Sequence, residues 1–438
     1  MKTIIMAGGF GKRIAEVDAS VPKPLIRIGG KPILQWEIEC LTRQGFIEII
    51  LTVAHMGQKI MDYFGDGSCF GCQITYYYEE RPLGNAGAIF KMWEKGQLDD
   101  DFLLLNADSM FDVDFHRMLS YHRSHKALAT LLSHPNNHPA DSGLLISSVD
   151  GVVTNWLTKE DERPQWYKNR VNAGVHIISP DLLELSGISP DEVGNDEGHR
   201  KVDLDREVLK PLISSGRIYC YDSPEYVKDM GTPERFEQVK VDLENGLVSS
   251  RNLANKQKAI FLDRDGTINK YVGFLTDIND FELLPGVAEA IRQINESGYL
   301  VIVVSNQPVI ARGEVTKDQL EIIHKKMETL LGAEGAFLDA IYYCPHHPQK
   351  GYEGEIPELK IECDCRKPKP GMLLKAAEDF NIDLCESWMV GDSKNDISAG
   401  QAAGCRTALI GTGDFGQDRS VDSLMEFSSC FSAGKHKE

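Results

Sequence analysis

The chain has 438 residues, 42% of them hydrophobic and 26% charged, ordinary values for a soluble globular protein with room for two or three domains. Its 47 basic and 66 acidic residues leave a formal charge of −19, which argues against non-specific binding to nucleic acid or to an anionic membrane. No apolar run approaches the roughly 18 residues of a membrane span. The ten cysteines, with no export signal before them, are expected as reduced thiols or metal ligands in a cytoplasmic protein.

Short apolar runs alternate with helix-length amphipathic stretches. Ile4–Ala7, Ile49–Ala54, Phe102–Asn106 and Leu128–Leu132 read as buried strands, and Ile33–Gln44 and Gly87–Lys95 as helices. The polar, weakly periodic stretch 246–257 reads as a linker. At Ala259 the pattern restarts, with further strands at Leu300–Val304, Ala340–Tyr343, Trp388–Val390 and Thr407–Ile410. The expected fold class is α/β, with two domains that are each a mainly parallel sheet flanked by helices. Their spans are 1–245 and 258–427, followed by a frayed tail over 428–438.

The first strand runs into Gly8-Gly9-Phe10-Gly11-Lys12-Arg13, where glycines let the backbone approach an anion and Arg13 adds a permanent charge. Lys23 follows, held between Pro22 and Pro24, two residues of fixed φ. A rigidly presented lysine beside a glycine loop suits a transferring phosphate.

This combination resembles the sugar-phosphate nucleotidyltransferase family, with its GGxGxR loop and PKP. The resemblance extends through Pro82-Leu83-Gly84-Asn85-Ala86-Gly87, where Asn85 replaces the usual Thr, and the strand ending at Asp108, where Ala107 replaces a Gly. It continues through Asn172-Ala173-Gly174 and Asp229-Met230-Gly231-Thr232-Pro233. It implies that Gly8, Gly9, Gly11, Gly84, Asn172 and Gly174 contact substrates, and that Lys159 is a candidate for the sugar-phosphate lysine. Asp108 and Asp229 would hold Mg²⁺, as hard oxygen ligands can. Arg13 and Lys23 would stabilise the triphosphate while a sugar 1-phosphate displaces pyrophosphate.

In the second half, Asp263-Arg264-Asp265-Gly266-Thr267 places two carboxylates two positions apart at a strand end. Ser305-Asn306-Gln307, Arg366-Lys367-Pro368 and Gly391-Asp392-Ser393-Lys394-Asn395-Asp396 follow in order. These resemble the four motifs of the haloacid-dehalogenase superfamily. The resemblance makes Asp263 the nucleophile and Asp265 the general acid and base. Lys367 and Ser305 would act on the transferring phosphate. Mg²⁺ would be bound by Asp263, Asp392 and the backbone carbonyl of Asp265, with Asp396 behind them.

Cys344-Pro345-His346-His347 and Cys363-Asp364-Cys365 have the spacing of a structural Zn²⁺ site, with Cys344, His346, Cys363 and Cys365 as ligands and His347 as the alternative histidine. Cys69-Phe70-Gly71-Cys72 has no second pair nearby and reads as turn cysteines. The zinc loop, together with the Ser305–Gly313 stretch, resembles the D-glycero-D-manno-heptose 1,7-bisphosphate phosphatases; the related histidinol-phosphate phosphatases share the loop. Asn306, Arg312 and Arg366 then become candidate substrate contacts, and Pro308-Val309 departs from the usual Ser-Gly.

The two resemblances together imply a bifunctional enzyme of nucleotide-activated heptose synthesis for a bacterial surface polysaccharide. It would pair the phosphatase with a heptose 1-phosphate guanylyltransferase type of domain. Its partners would be sugar phosphates and a nucleoside triphosphate, GTP being favoured, with no nucleic acid and no membrane. The sequence leaves open whether it forms a homo-oligomer. The rival readings are a histidinol-phosphate phosphatase fused to another transferase, and an active phosphatase with a degenerate nucleotide-binding module.

Overall fold

The computed structural model describes residues 1–8, 21–158, 160–194 and 200–431. The expectations placed on Gly9, Gly11, Arg13 and Lys159 lie outside the described residues. The chain divides into two compact units.

The first unit comprises Met1–His134, Gly143–Thr158 and Asn172–Asn252. Its nine-stranded sheet is mainly parallel, as expected, with antiparallel pairings added around Val171–Ile178 and between Leu144–Ser147 and Val153–Leu157. Thr3–Met6 lies between Glu48–Val53 and Phe102–Asn106, parallel to both, whereas Val171–Ile178 runs antiparallel to Phe102–Asn106. Ile4 and Leu104 point into one apolar layer, and Ile5, Leu103 and Leu105 into the other. That period-two split explains why these strands read as continuous apolar runs: both faces are covered. The helices Ile33–Arg43 and Gly87–Glu94 end within one residue of the sequence expectation.

A small antiparallel ladder lies apart from the main sheet. It pairs Ser109–Asp112 with Tyr226–Asp229, setting Asp229 opposite Ser109. This register brings together two segments that are far apart in the chain.

The second unit comprises Leu253–Glu438 together with Pro135–Ser142 and Lys159–Val171. Its six-stranded sheet is parallel at every pairing, with Ala259–Leu262 between Leu300–Asn306 and Trp388–Gly391. Parallel strands need crossover helices, here Val287–Glu296, Lys317–Ala333, Gly371–Phe380 and Lys394–Ala403. The short helix Leu247–Ser250 occupies part of the stretch read as linker. Phe427 is buried and its ring lies 5.3 Å from Phe431, so packing persists a little past residue 427. Among the described residues no helix is long and apolar enough to cross a membrane.

Candidate active sites

In the first unit, Lys23 lies in the tight turn Lys23–Leu25, closed by the Leu25 N–H donating to Pro22 O at 2.8 Å. Its Nζ reaches the Asp108 carboxylate at 2.7 Å. Asp108 follows the strand Phe102–Asn106, and its carbonyl accepts from the Met230 N–H at 3.0 Å, beside Asp229. The two aspartates are therefore neighbours by register. Asp229 accepts two bonds from Arg235, at 2.8 and 2.7 Å, and one from the Gly231 N–H. Burial works to raise the Asp229 carboxyl, but the Arg235 guanidinium and the Gly231 N–H outweigh it and hold it below the usual range.

Arg235 is not among the residues the sequence singles out. It lies one turn into the helix that Thr232 caps, and only the ladder register puts that helix end at the site. Glu37 is a second such residue. It is fully buried on Ile33–Arg43, and burial followed by Asp108 raises its pKa well above the usual range against the opposing pull of the Ser109 N–H and Lys23.

Gly84 takes φ +85, and a Cβ there would collide with the Val202 backbone. The Ala86 N–H donates to Val202 O, and Asn85 Oδ1 accepts from the Leu204 N–H at 2.7 Å. This loop is thus built around the backbone at 202–204, and Asn85 has a structural partner there. Asn172 Oδ1 accepts from the Gly174 N–H, and a Cβ on Gly174 would meet Asn106 Nδ2 at 2.6 Å. Gly8 has only ordinary neighbours: a Cβ added there would stand 3.5 Å from Ala54 Cβ.

In the second unit, Asp263 follows the buried strand Ala259–Leu262, and its N–H donates to Val390 O at 3.0 Å. Lys367 Nζ donates to Asp263 Oδ1 at 2.6 Å and to Val304 O at 2.7 Å, and forms an ion pair with Asp396 Oδ1 at 2.6 Å. Asn306 fixes the Lys367 backbone from both sides, its Nδ2 donating to Lys367 O and its Oδ1 accepting from the Lys367 N–H, each at 3.0 Å. Burial raises the Asp263 carboxyl; Lys367 pulls it back down and Asp396 pushes it up again. Lys367 remains protonated because its two carboxylates outweigh the cost of burial.

The carboxylates of Asp263, Asp392 and Asp396 can place ligand oxygens within 4.8 Å of one another. Gly266, at φ +87, lets the Asp392 carboxylate lie where a Cβ would otherwise stand. This puts Asp392 against the peptide whose carbonyl belongs to Asp265. A set of hard oxygens fits Mg²⁺. The Asp265 carboxylate faces other partners: Arg264 at 2.8 and 2.9 Å, Gln307 Nε2 at 3.0 Å and Asn269 Nδ2 at 3.0 Å. Ser305 Oγ accepts from Gln307 Nε2 at 2.8 Å. Arg264, Gln307 and Asn269 carry no sequence signal of their own, although all three lie in or beside quoted motifs.

Cys344, His346, Cys363 and Cys365 converge, with Sγ and Nδ1 atoms within 4.8 Å of one another and separations such as 3.5 Å for Cys344–Cys363 and 3.3 Å for His346–Cys365. The edge of a tetrahedron with metal–sulfur bonds of about 2.3 Å is about 3.8 Å, so the donor set and its size fit Zn²⁺. His347 turns to Gln349 O instead. Arg366, next after Cys365, donates from Nη1 to His346 O at 3.2 Å. Arg312 lies between the rings of Phe274 and Tyr352, 4.2 and 4.4 Å from their centroids. Cys69 and Cys72 flank a turn, and Cys72 Sγ donates to Gly67 O at 3.5 Å.

The sequence profile of the nucleotidyl transferase family matches residues 2–246, and that of HAD-hydrolase-like proteins matches 364–424. The D-glycero-beta-D-manno-heptose-1,7-bisphosphate 7-phosphatase of Salmonella typhi is 46% identical over 158 residues, 36% of this chain and 82% of that protein. HddC from Yersinia pseudotuberculosis has a structure similar over 55% of this chain and 99% of that one, at 23% identity and a TM-score of 0.46. The D,D-heptose 1,7-bisphosphate phosphatase of B. bronchiseptica, solved with magnesium and phosphate, is 33% identical over 40% of this chain and 97% of that one, with a TM-score of 0.35. The chain belongs to the nucleotidyl transferase family in its first part and to the heptose-bisphosphate 7-phosphatase family of HAD-like hydrolases in its last. It is an enzyme with a transferase and a hydrolase in one polypeptide.

Proposed function

We propose that the chain catalyses two successive steps. The phosphatase removes the 7-phosphate of D-glycero-D-manno-heptose 1,7-bisphosphate. The transferase then passes a nucleotidyl group, GMP by preference, from the triphosphate to heptose 1-phosphate and releases pyrophosphate. The observation that carries this reading is the 46% identity to a 7-phosphatase in the same chain as a nucleotidyl transferase. The product of the one is a sugar 1-phosphate, the acceptor class of the other. The activities are assigned to residues 1–245 and 258–427, joined at 246–257, and to the cytoplasm.

In the phosphatase, Asp263 attacks phosphorus and the bond to the sugar oxygen breaks. Asp265 gives a proton to that oxygen, then takes one from the water that cleaves the aspartyl-phosphate. Lys367, held by two hydrogen bonds and the Asp396 ion pair, offsets negative charge on Asp263 and the phosphate throughout. Asp263, Asp392 and the Asp265 carbonyl would hold Mg²⁺, which when bound neutralises phosphate charge. Arg312 and Arg366 meet the rest of the substrate. The Cys344, His346, Cys363 and Cys365 site would hold Zn²⁺ in a structural role, pinning the loop that carries Arg366 and Lys367.

In the transferase, Asp108 and Asp229 would hold Mg²⁺. Their present partners are Lys23 and Arg235, two cations that can turn from carboxylate to triphosphate when substrate arrives. Binding and alignment of the two anions supply most of the rate, since no side-chain nucleophile is needed.

Separable loss tests the assignment. Asp263→Asn is expected to abolish phosphate release, by on the order of 10³-fold or more, while nucleotidyl transfer to supplied heptose 1-phosphate persists. Loss of both in a folded protein contradicts two independent sites.

A further inference from the structure

Residues 135–142 and 160–171 fall inside the stretch matched by the nucleotidyl transferase profile, yet they pack within the second unit. Their target is the helix Lys317–Ala333. Pro139 packs on Gly332, where an added Cβ would meet its ring at 3.0 Å. The Tyr167 N–H donates to Thr329 Oγ1 at 2.9 Å, and Lys326 Nζ lies 5.5 Å from the Trp166 ring. Arg170 is the centre of this contact. It is only 4% exposed, and it donates to Glu328 Oε1 at 3.2 Å and to Asp339 O at 2.9 Å. Glu328 is itself 3% exposed. The Asp339 carboxylate accepts from the Val301 N–H at 2.7 Å, on the strand that ends in Ser305 and Asn306.

One turn before Glu328, on the same helix face, stands His324. Its Nε2 lies 3.4 Å from Arg264 Nη1, and an arginine N–H can only donate, so the imidazole accepts. Arg264 is fully buried and its Nη2 binds both oxygens of Asp265. A continuous series of buried polar contacts and one helical turn thus runs from Arg170 to the carboxylate that handles the proton.

We propose that Arg170 and Glu328 are positioning residues for phosphate release: their buried pair fixes the helix whose His324 holds Arg264, and through it Asp265. This rests on Asp265 being the proton donor and acceptor of that step. Removing one member takes from a buried charge its oppositely charged neighbour, a destabilising change that a shift of the helix would relieve. A misplacement of about 1 Å at a reacting group, caused from a distance, is enough to slow the chemistry.

The test uses full-length Arg170→Met, Arg170→Lys and Glu328→Gln, with nucleotidyl transfer as the internal check of folding. Arg170→Met should lower kcat for phosphate release roughly 10-fold with KM little changed, shift the pH–rate profile, and leave transfer intact; Arg170→Lys should recover most of the rate. The loss should be smaller with p-nitrophenyl phosphate, whose leaving group departs without a proton. An unchanged kcat in a folded variant overturns the proposal, as does an equal loss on both substrates. Where Arg170→Met does not fold, Glu328→Gln gives the same comparison. If the wild-type chain ignores heptose bisphosphate yet hydrolyses another alkyl phosphate, the substrate reading fails and the comparison stands on that phosphate.

Discussion

At the scale of single residues, the phosphatase site depends on close approaches that only certain side chains permit. Gly266 combines a left-handed φ of +87 with a position where any Cβ would displace the Asp392 carboxylate. Gly266→Ala is therefore expected to weaken Mg²⁺ dependence and lower phosphate release at least about 10-fold, through backbone strain of about 1–2 kcal/mol and a displaced ligand. Nucleotidyl transfer, measured on the same preparation, should not change. His176 raises a different matter. It is buried in the first unit with both ring nitrogens lacking a hydrogen-bond partner, and burial depresses its pKa to about 4. Below pH 6.5 the unfolded chain gains a proton there that the folded chain does not accept until about pH 4. Stability of this unit should thus fall as pH drops from 6.5 to 4, by about 3 kcal/mol from this group. His176→Leu should flatten that decline, read as the urea midpoint of transfer activity at a series of pH values.

At the scale of elements, the motifs were legible because local chemistry demands them: Asp263 and Asp265 at a strand end, cysteine and histidine pairs flanking a loop, Lys23 between prolines. The central strands were legible because both faces are buried and the apolar runs are unbroken. What escaped was produced by pairing between distant segments. Arg235 joins Asp229 only through the ladder of Ser109–Asp112 with Tyr226–Asp229, and no local pattern announces it. Glu37 reads as one more polar position on an amphipathic helix, although it is buried. The first sheet is mainly parallel, as expected, but Val171–Ile178 enters it antiparallel, a choice that strand periodicity does not encode. The proposed zinc loop supplies its own test. Cys363→Ser should remove most bound zinc and slow phosphate release, since the same loop carries Arg366 and Lys367; unchanged zinc content by metal analysis contradicts the ligand set.

For the whole molecule, two functions share one acidic chain without sharing motifs. With a formal charge of −19, each phosphate in the proposed reactions needs a local device: Lys23 and Arg235 are proposed on one side, Lys367, Arg312 and Arg366 on the other. The sequence restart at Ala259 anticipated the second sheet. It did not anticipate that residues 135–142 and 160–171 would pack with that sheet's unit, because a contact made from so far back in the chain leaves no periodic trace. The central claim is that the two chemistries are consecutive. The most direct measurement is incubation of the full-length protein with D-glycero-D-manno-heptose 1,7-bisphosphate and GTP, and with each other triphosphate separately, followed by mass analysis. The account predicts equal amounts of phosphate, pyrophosphate and GDP-heptose, whereas phosphate release with no nucleotide-sugar from any triphosphate would contradict it.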